Sequence, residues 1–136
     1  LASGGDVQRL PLPPELRTRL DHFIAEDARV AGATEAFARG DIPAVGALAD
    51  ASQSDADRLL RNQVPETRAL VSLASAIGAA AASAFGAGWG GSVWALVKEA
   101  DAEPFLAEWL SAYRRAFANR ASEGFVSPAS AGAHWI

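Results

Sequence analysis

Apolar residues near the start of the chain recur at intervals of three and four positions, a spacing that places them on one face of an α-helix. The pattern predicts an amphipathic helix over residues 15–39. Its apolar members are Leu16, Leu20, Phe23, Ile24, Val30, Ala31 and Phe37. Gly40 follows directly, and glycine commonly ends a helix because it adopts the left-handed conformation without strain. On the same predicted helix, Glu26 and Arg29 are three positions apart and can form an ion pair.

Three further helices are predicted from apolar spacing together with residues that favour helix ends. Asp41 is a suitable N-cap for a helix that continues to about residue 61. Pro65 begins a third helix, because the missing N–H of proline does no harm in a first turn, and Gly78 ends it. Asp101 caps the last helix, which has a broad apolar face. That face comprises Phe105, Leu106, Trp109, Leu110, Tyr113 and Phe117.

Short apolar runs between and after these helices predict strands. Residues 92–98 contain valine and tryptophan between glycine and charged residues, which is typical of a buried strand. Residues 79–85 are compatible with helix or strand, since alanine favours helix while the flanking glycines leave only a strand-length segment. Residues 125–127 add a short strand near the end. A few helices and about three strands that do not alternate strictly indicate an α+β fold.

The chain divides into a short linker and one domain. Residues 1–14 contain Gly4-Gly5 and several prolines, which prevent regular hydrogen bonding, so they are predicted to be a linker. The domain is predicted to span residues 15–136, and about 136 residues fit one domain. The chain begins with Leu1 and contains no methionine. We therefore expect it to be a piece of a longer polypeptide.

Composition narrows the classes of function. The 12 basic and 16 acidic residues give a formal charge of −4, so nucleic acid is not an expected partner. With no cysteine and only His22 and His134 as imidazole ligands, no metal site is expected. No secretory signal and no apolar stretch of membrane-spanning length is present, which predicts a cytoplasmic protein with no membrane partner.

Residues 86–91 carry four glycines in six positions and lie between two candidate strands. Glycine adopts positive φ freely, so such a run can turn several backbone N–H groups toward an anion or approach another chain closely. On residue content alone, a plain strand-to-strand loop is the favoured explanation of the run. It is not a Walker loop, because no Lys-Ser or Lys-Thr pair follows, and it lacks the order of a dinucleotide-binding fingerprint.

The glycine run and its neighbours resemble the third conserved motif of the GHMP kinases, named for galactokinase, homoserine kinase, mevalonate kinase and phosphomevalonate kinase. Further segments resemble galactokinases in particular, in the same order along the chain, and the resemblance covers about residues 15–134. The matching segments are Ser83-Ala84-Phe85-Gly86-Ala87-Gly88-Trp89-Gly90-Gly91-Ser92, His22-Phe23-Ile24-Ala25-Glu26-Asp27-Ala28-Arg29-Val30, Gly40-Asp41 with Gly46, Leu48, Ser52 and Ser54, Val64-Pro65-Glu66-Thr67, and Phe125-Val126-Ser127-Pro128-Ala129-Ser130-Ala131-Gly132-Ala133.

The resemblance implies the C-terminal domain of a galactokinase-like, ATP-dependent sugar kinase. The implied fold is a ferredoxin-like α+β layer with a small antiparallel sheet packed against helices, and it favours a strand at residues 79–85. ATP and Mg²⁺ are implied as cofactors, bound mainly by an N-terminal domain. That domain also holds the family's serine-rich phosphate loop and activating aspartate. No catalytic residue is therefore expected in this chain, which we expect to be inactive on its own.

The resemblance also names candidate site residues. Gly86, Ala87, Gly88, Trp89, Gly90 and Gly91 are implied to line the cleft that holds nucleotide and substrate. Galactokinases usually carry a basic residue and a threonine where this chain has Ser83 and Phe85, so these two positions are candidates for substrate specificity. Its own domain cannot easily bury Trp89, because a large aromatic side chain in a glycine loop lacks neighbours. We therefore expect the isolated chain to self-associate near Trp89.

Two other functions remain open at the level of the sequence. The first is a GHMP kinase that phosphorylates a different sugar or another small alcohol. The second is a non-catalytic ligand sensor that shares the fold.

Overall fold

A computed structural model describes residues 11–129 of the chain. Four α-helices, one π-helical turn, one 3₁₀ turn and a two-stranded sheet make up this part. In chain order the elements are α1 (Pro14–Arg39), α2 (Ile42–Asp55), the π turn (Ala56–Leu60), α3 (Pro65–Ile77), β1 (Ala81–Ala84), β2 (Val93–Leu96), the 3₁₀ turn (Glu99–Asp101) and α4 (Ala102–Ala116). The predicted α+β fold, with a small antiparallel sheet packed against helices, is confirmed. The first ten residues of the predicted linker lie outside the described range.

The helix ends follow local chemistry, with one exception. Gly40 and Gly78 end α1 and α3 in the left-handed conformation, with φ of 66° and 106°. The side chain of Asp41 caps α2 by accepting a hydrogen bond of 3.1 Å from the N–H of Ala44. Asp101 is the N-cap residue of α4, as predicted, but its side chain makes no capping hydrogen bond. Asp101 instead closes a 3₁₀ turn that leads directly into α4.

The second helix changes character before it ends. The sequence predicts that it continues to about residue 61, and the structure has an α-helix that stops at Asp55, followed by a five-residue π turn to Leu60. Arg61 then takes the left-handed conformation with φ of 53°. That conformation is uncommon for a residue with a side chain, and it ends the helical path sharply. The next two residues, Asn62 and Gln63, are turned into the protein and buried.

The two strands form an antiparallel hairpin that separates two layers of helices. Ala81 pairs with Leu96 and Ser83 with Trp94, while Ala82 pairs with Ala95. Because successive side chains of a strand point to opposite faces, each strand serves both layers. Ala81, Trp94 and Leu96 pack with α1 and α2, whereas Ala82 and Ala95 pack with α3 and α4.

The layer formed by α3 and α4 holds most of the large side chains. Trp109 of α4 is buried there, and its indole N–H donates a hydrogen bond of 2.8 Å to the carbonyl oxygen of Leu70. Phe105 contacts Trp109 with a ring-centroid distance of 5.5 Å. The predicted apolar face of the last helix therefore packs against α3 and the hairpin.

The prediction of a third strand, at residues 125–127, is wrong. Both strands of the sheet lie between residues 81 and 96, and residues 117–129 contain no strand. Side-chain hydrogen bonds join residues 120 and 122, just before the predicted strand, to α3 and α4. Arg114 donates to the carbonyl oxygen of Ser122 (2.9 Å), and Arg120 donates to Glu66 (2.9 Å). The remainder of the expected closing motif, residues 130–133, and His134 lie outside the described residues.

Charged side chains join α1 to the end of α2. Arg29 donates to Glu26 at 2.5 Å, which confirms the predicted pair, and also to the carboxylate of Asp55. The hydroxyl of Ser52 donates to Glu26 at 2.8 Å, and Arg58 donates to Asp55 at 2.6 Å. The pKa of Asp55 lies below its usual value, chiefly because of the hydrogen bond from Arg29 and also because of that from Arg58.

Among residues 11–129, no helix has both the length and the apolar character needed to cross a membrane.

Candidate functional site

The glycine-rich run forms the loop that joins the two strands. The N–H of Phe85 donates to the carbonyl oxygen of Ser92 at 2.8 Å, which closes the base of the loop. All four glycines of the run have positive φ, between 64° and 110°, and Trp89 has φ of 57°. The loop therefore depends on the conformational freedom of glycine, and Trp89 is held in a conformation that bulky residues rarely adopt.

Asn62 holds the middle of this loop through two hydrogen bonds. Its side-chain amide donates to the carbonyl oxygen of Ala87 at 3.0 Å, and its own carbonyl oxygen accepts a hydrogen bond from the N–H of Trp89. Asn62 is buried, so these contacts are shielded from competing water. One residue thus binds both sides of Gly88.

Gly88 approaches Asn62 so closely that no side chain fits between them. A Cβ built on Gly88 would lie 2.7 Å from the side-chain carbon Cγ of Asn62, and nearer still to its carbonyl oxygen. Real Cβ atoms essentially never approach other atoms so closely. A Cβ on Gly86, by contrast, would meet no described atom within 4 Å. Glycine at position 88 is required by contact as well as by φ.

A chain of three side-chain amides, two of them buried, connects this contact to the hairpin. Gln63 donates to the side-chain oxygen of Asn62 at 3.0 Å. The side-chain oxygen of Gln63 accepts from Gln53 at 3.1 Å and from the hydroxyl of Thr67 at 3.0 Å. Gln53 in turn accepts from the N–H of Ala84 at 2.9 Å. The end of β1 and the middle of the loop are therefore anchored to the same network, which spans α2, the segment after the π turn and α3.

The structure separates the two candidate specificity positions. Ser83 is buried on β1 and its hydroxyl donates to Gln53 at 3.2 Å, so it belongs to the amide network. Phe85, at the start of the loop, is 60% exposed, and Trp89 at the loop's centre is 65% exposed. The two aromatic side chains are therefore available to a substrate or another domain, whereas Ser83 is buried and contacts Gln53. Their roles in specificity stay predictions.

The loop itself carries no charge. Residues 86–91 are glycine, alanine and tryptophan, and within residues 11–129 no acceptor is found for the N–H groups of Gly86, Gly90 and Gly91. In the same part of the chain, no three His, Cys, Asp or Glu side chains are grouped closely enough to hold a metal ion. The loop can therefore offer backbone donors to an anion or an aromatic surface to a partner, and its neighbourhood offers no carboxylate cluster to a cation.

Sequence reasoning did not single out Asn62. The pair Asn62-Gln63, between a helix end and Pro65, is only a weak signal of a functional position in the sequence. Asparagine and glutamine occur just as commonly on exposed loops that have no special role. Only burial and the contact with a loop 25 residues further along the chain distinguish Asn62.

Comparison with known proteins adds an independent observation. The family described as GHMP kinases C terminal matches residues 33–115, which is more than half of the chain. A galactokinase of Chloroflexus aurantiacus is 35% identical over 103 residues, 75% of this chain and 26% of that protein. A galactokinase of Thermococcus kodakarensis is 32% identical over 106 residues, 78% of this chain and 30% of that protein. A galactokinase of Pyrococcus furiosus is 32% identical over 117 residues, 86% of this chain and 33% of that protein. The chain spans about a quarter to a third of the length of these curated relatives.

Proposed function

The chain belongs to the GHMP kinases as their C-terminal domain, and from this we propose that it is part of an ATP-dependent sugar kinase similar to galactokinase. The proposed reaction transfers the γ-phosphoryl group of MgATP to a hydroxyl group of a free sugar and releases ADP. The proposed partner within the longer protein is an N-terminal kinase domain, and the proposed location is the cytoplasm. Relatives named galactokinase that match 75% or more of this chain support the proposal.

The docked glycine loop is the observation that carries the proposal furthest. Phosphoryl transfer depends mainly on positioning and on stabilising negative charge, and both require donors that do not move. The contacts of Asn62 with Ala87 and Trp89 hold the loop in one conformation, while its glycine N–H groups have no acceptor in the described part of the chain. A loop held in this way suits the phosphate side of a nucleotide site.

The described residues of this chain fit the phosphate part of the proposed site, but they do not fit its metal ion. When MgATP is bound, it supplies the phosphoryl group and the charge of Mg²⁺. Gly86, Gly90 and Gly91 would donate backbone hydrogen bonds to anionic oxygen atoms, and the exposed aromatic side chains of Phe85 and Trp89 would shape the acceptor side of the cleft. The described residues offer no carboxylate cluster for Mg²⁺, so the metal is assigned to the N-terminal domain.

ADP release tests the proposed function. The longer protein that contains this chain is assayed with free sugars one at a time, beginning with galactose. We expect release of ADP with a sugar, and none from the 136-residue chain alone. Release with a non-sugar alcohol only would replace the proposal by a GHMP kinase for another acceptor. Binding of a sugar without ADP release would replace it by a ligand sensor.

A substitution at Asn62 tests the part played by the loop. In the longer protein, Asn62→Ala removes the side-chain hydrogen bond to Ala87 and retains the backbone carbonyl that accepts from Trp89. The loop is then loosened on one side of Gly88, so kcat is expected to fall about ten- to a hundredfold. Asn119→Ala is the matched control, because Asn119 is exposed in the segment after α4 and takes no part in the hydrogen bonds that hold the loop. Steady-state kinetics with both variants provide the measurement. Equal kcat values would show that the loop needs no anchor for catalysis.

A further inference from the structure

Helix α1 carries a line of exposed large apolar side chains along its whole length. Leu16, Phe23, Val30 and Phe37 are spaced seven residues apart, and each is between 50% and 68% exposed. We refer to these four residues as the α1 stripe. Single exposed apolar residues are common on protein surfaces, but a regular line of them is a feature of helices that pack against a partner.

The inner side of α1 does not account for the stability of so long a helix. The helix has 26 residues and is about 39 Å long. Ala36 is its one buried residue among those that the structure describes. Most helical stability in proteins comes from packing an apolar face, so α1 requires more contact than α2 and the π turn provide.

The seven-residue interval indicates what kind of surface could cover the stripe. Residues seven positions apart drift by only about 20° on a helix, so the four side chains stay within an arc of about 60°. A narrow, straight seam of this type fits a long element that lies along the helix, such as another helix. It does not fit a small ligand, because the seam extends over most of the length of α1.

A second copy of this chain is a poor occupant because of Asp27, which is exposed beside the stripe between Phe23 and Val30. An antiparallel pair that matches Leu16 with Phe37 and Phe23 with Val30 brings the Asp27 side chains of both copies close to the two-fold axis. A parallel pair in register places them directly opposite each other. Either arrangement sets two carboxylates against each other in an apolar seam, which is unfavourable.

The rest of the longer protein is the better occupant. Curated relatives match this chain over only 26–33% of their own length, and the family match is a C-terminal one, so most of such a protein precedes α1. The region that precedes α1 is tethered beside the stripe, and a tether raises the effective concentration for docking into the millimolar range. Resting on the proposed function, we propose that the α1 stripe is the surface on which the N-terminal domain of the longer kinase docks.

Cysteine labelling tests this docking surface directly, because the chain contains no cysteine of its own. In the longer protein, Val30→Cys places a thiol in the stripe. Ala28→Cys is the matched control on the same helix, since Ala28 is exposed but lies on a different side from Val30. The probe is a small thiol reagent, and mass spectrometry of the α1 peptide gives the labelling rate. We expect Val30→Cys to react at least tenfold more slowly than Ala28→Cys.

Every other result overturns the proposal. Equal labelling rates at the two positions would show that the stripe faces water in the longer protein. Protection that is lost on dilution, together with the sedimentation coefficient of a dimer, would assign the stripe to a second copy. Phe37→Cys repeats the test at an independent position. The result is separate from the kinase assay, because protection without ADP release would retain the docking surface and remove the proposed function.

Discussion

A single close contact, between Gly88 and Asn62, determines how the glycine loop lies on the domain. Asn62 supplies a donor to Ala87 and an acceptor to Trp89, and the absence of a side chain at position 88 lets the two backbones meet. Positive φ alone does not require such a close contact, because Gly86 also has positive φ and has open space around it. Glycine is therefore hardest to replace at position 88, where positive φ and a close contact both require it.

Two alanine substitutions in the loop separate these effects. Gly86→Ala and Gly88→Ala both place alanine at positive φ, which costs about 1–2 kcal/mol. Only Gly88→Ala also forces the loop away from Asn62. We expect Gly88→Ala to increase amide hydrogen exchange at Trp89 at least tenfold, while Gly86→Ala leaves that exchange nearly unchanged. Nuclear magnetic resonance measures both, and equal exchange in the two variants would contradict the close contact.

The buried carboxylate of Asp55 makes stability depend on pH. Its pKa is lowered in the folded state chiefly by the hydrogen bond from Arg29, so its contribution is complete above about pH 4, near the unfolded value, and is lost as pH falls through the folded value. Asp55→Asn is expected to lower the free energy of unfolding by about 1.5–3 kcal/mol at pH 7. Urea titrations at pH 7 and below pH 4 should show that this difference shrinks in acid.

The control for Asp55 is a second aspartate whose partner is exposed. Asp57 pairs with Arg68, and hydrogen bonds from Arg68 lower its pKa as well, but both side chains are more than a third exposed. Solvent weakens such pairs, so Asp57→Asn is expected to change stability much less than Asp55→Asn at pH 7. A comparable loss in both variants would show that burial does not set the strength of the pair.

Packing between α2 and the hairpin depends on one interior glycine. A Cβ on Gly46 would lie far inside contact distance of the carbonyl oxygen of Ala80, just before β1. Glycine weakens the interior of a helix, so its presence there reflects the close approach of the two elements. The other interior glycine, Gly32 of α1, has only the side chain of Leu48 nearby, at 3.5 Å.

The two helical glycines should respond oppositely to alanine. Gly32→Ala is expected to stabilise the protein by about 0.5–1 kcal/mol, because it lowers the conformational entropy of the unfolded chain and meets only an ordinary contact. Gly46→Ala is expected to destabilise it by about 1–3 kcal/mol, because backbone must move to admit the methyl group. Thermal unfolding of both variants provides the measurement. A stabilising effect at position 46 would show that α2 does not press against the hairpin.

The whole molecule is organised around a hairpin that both helical layers share. Ala81 and Trp94 belong to the layer of α1 and α2, while Ala82 contributes to the layer of α3 and α4. Neither layer can separate without exposing one face of the same two strands. The structure therefore predicts cooperative unfolding of the two layers.

Fluorine-labelled tryptophan tests this cooperativity, because each layer contains its own reporter. Trp94 packs with the α1 and α2 layer, and Trp109 is buried in the other layer. With 5-fluorotryptophan incorporated and the signals assigned by Trp94→Phe and Trp109→Phe, both resonances should report the same midpoint in urea. Two separate midpoints would show that the layers unfold independently.

Local signals were sufficient to predict most of the secondary structure. The apolar spacing and the left-handed caps at Gly40 and Gly78 were read correctly, since they depend on residues within one or two turns. Predictions that depend on contacts between distant parts of the chain were less successful. The sequence does not predict the π turn after Asp55, and the strand predicted at residues 125–127 is absent because no neighbouring strand pairs with that segment.

The amino-acid sequence by itself determined the helices, the second strand, the position of the glycine loop and the family, because these depend on order and spacing along the chain. The first strand followed only from the resemblance to the family. The tertiary structure alone decided which residues hold the loop. The hydrogen bonds of Asn62 with Ala87 and of Gln53 with Ala84 join residues 25 and 31 positions apart. Such contacts form only when helices and hairpin are already packed, since burial removes the water that would otherwise satisfy the same amides.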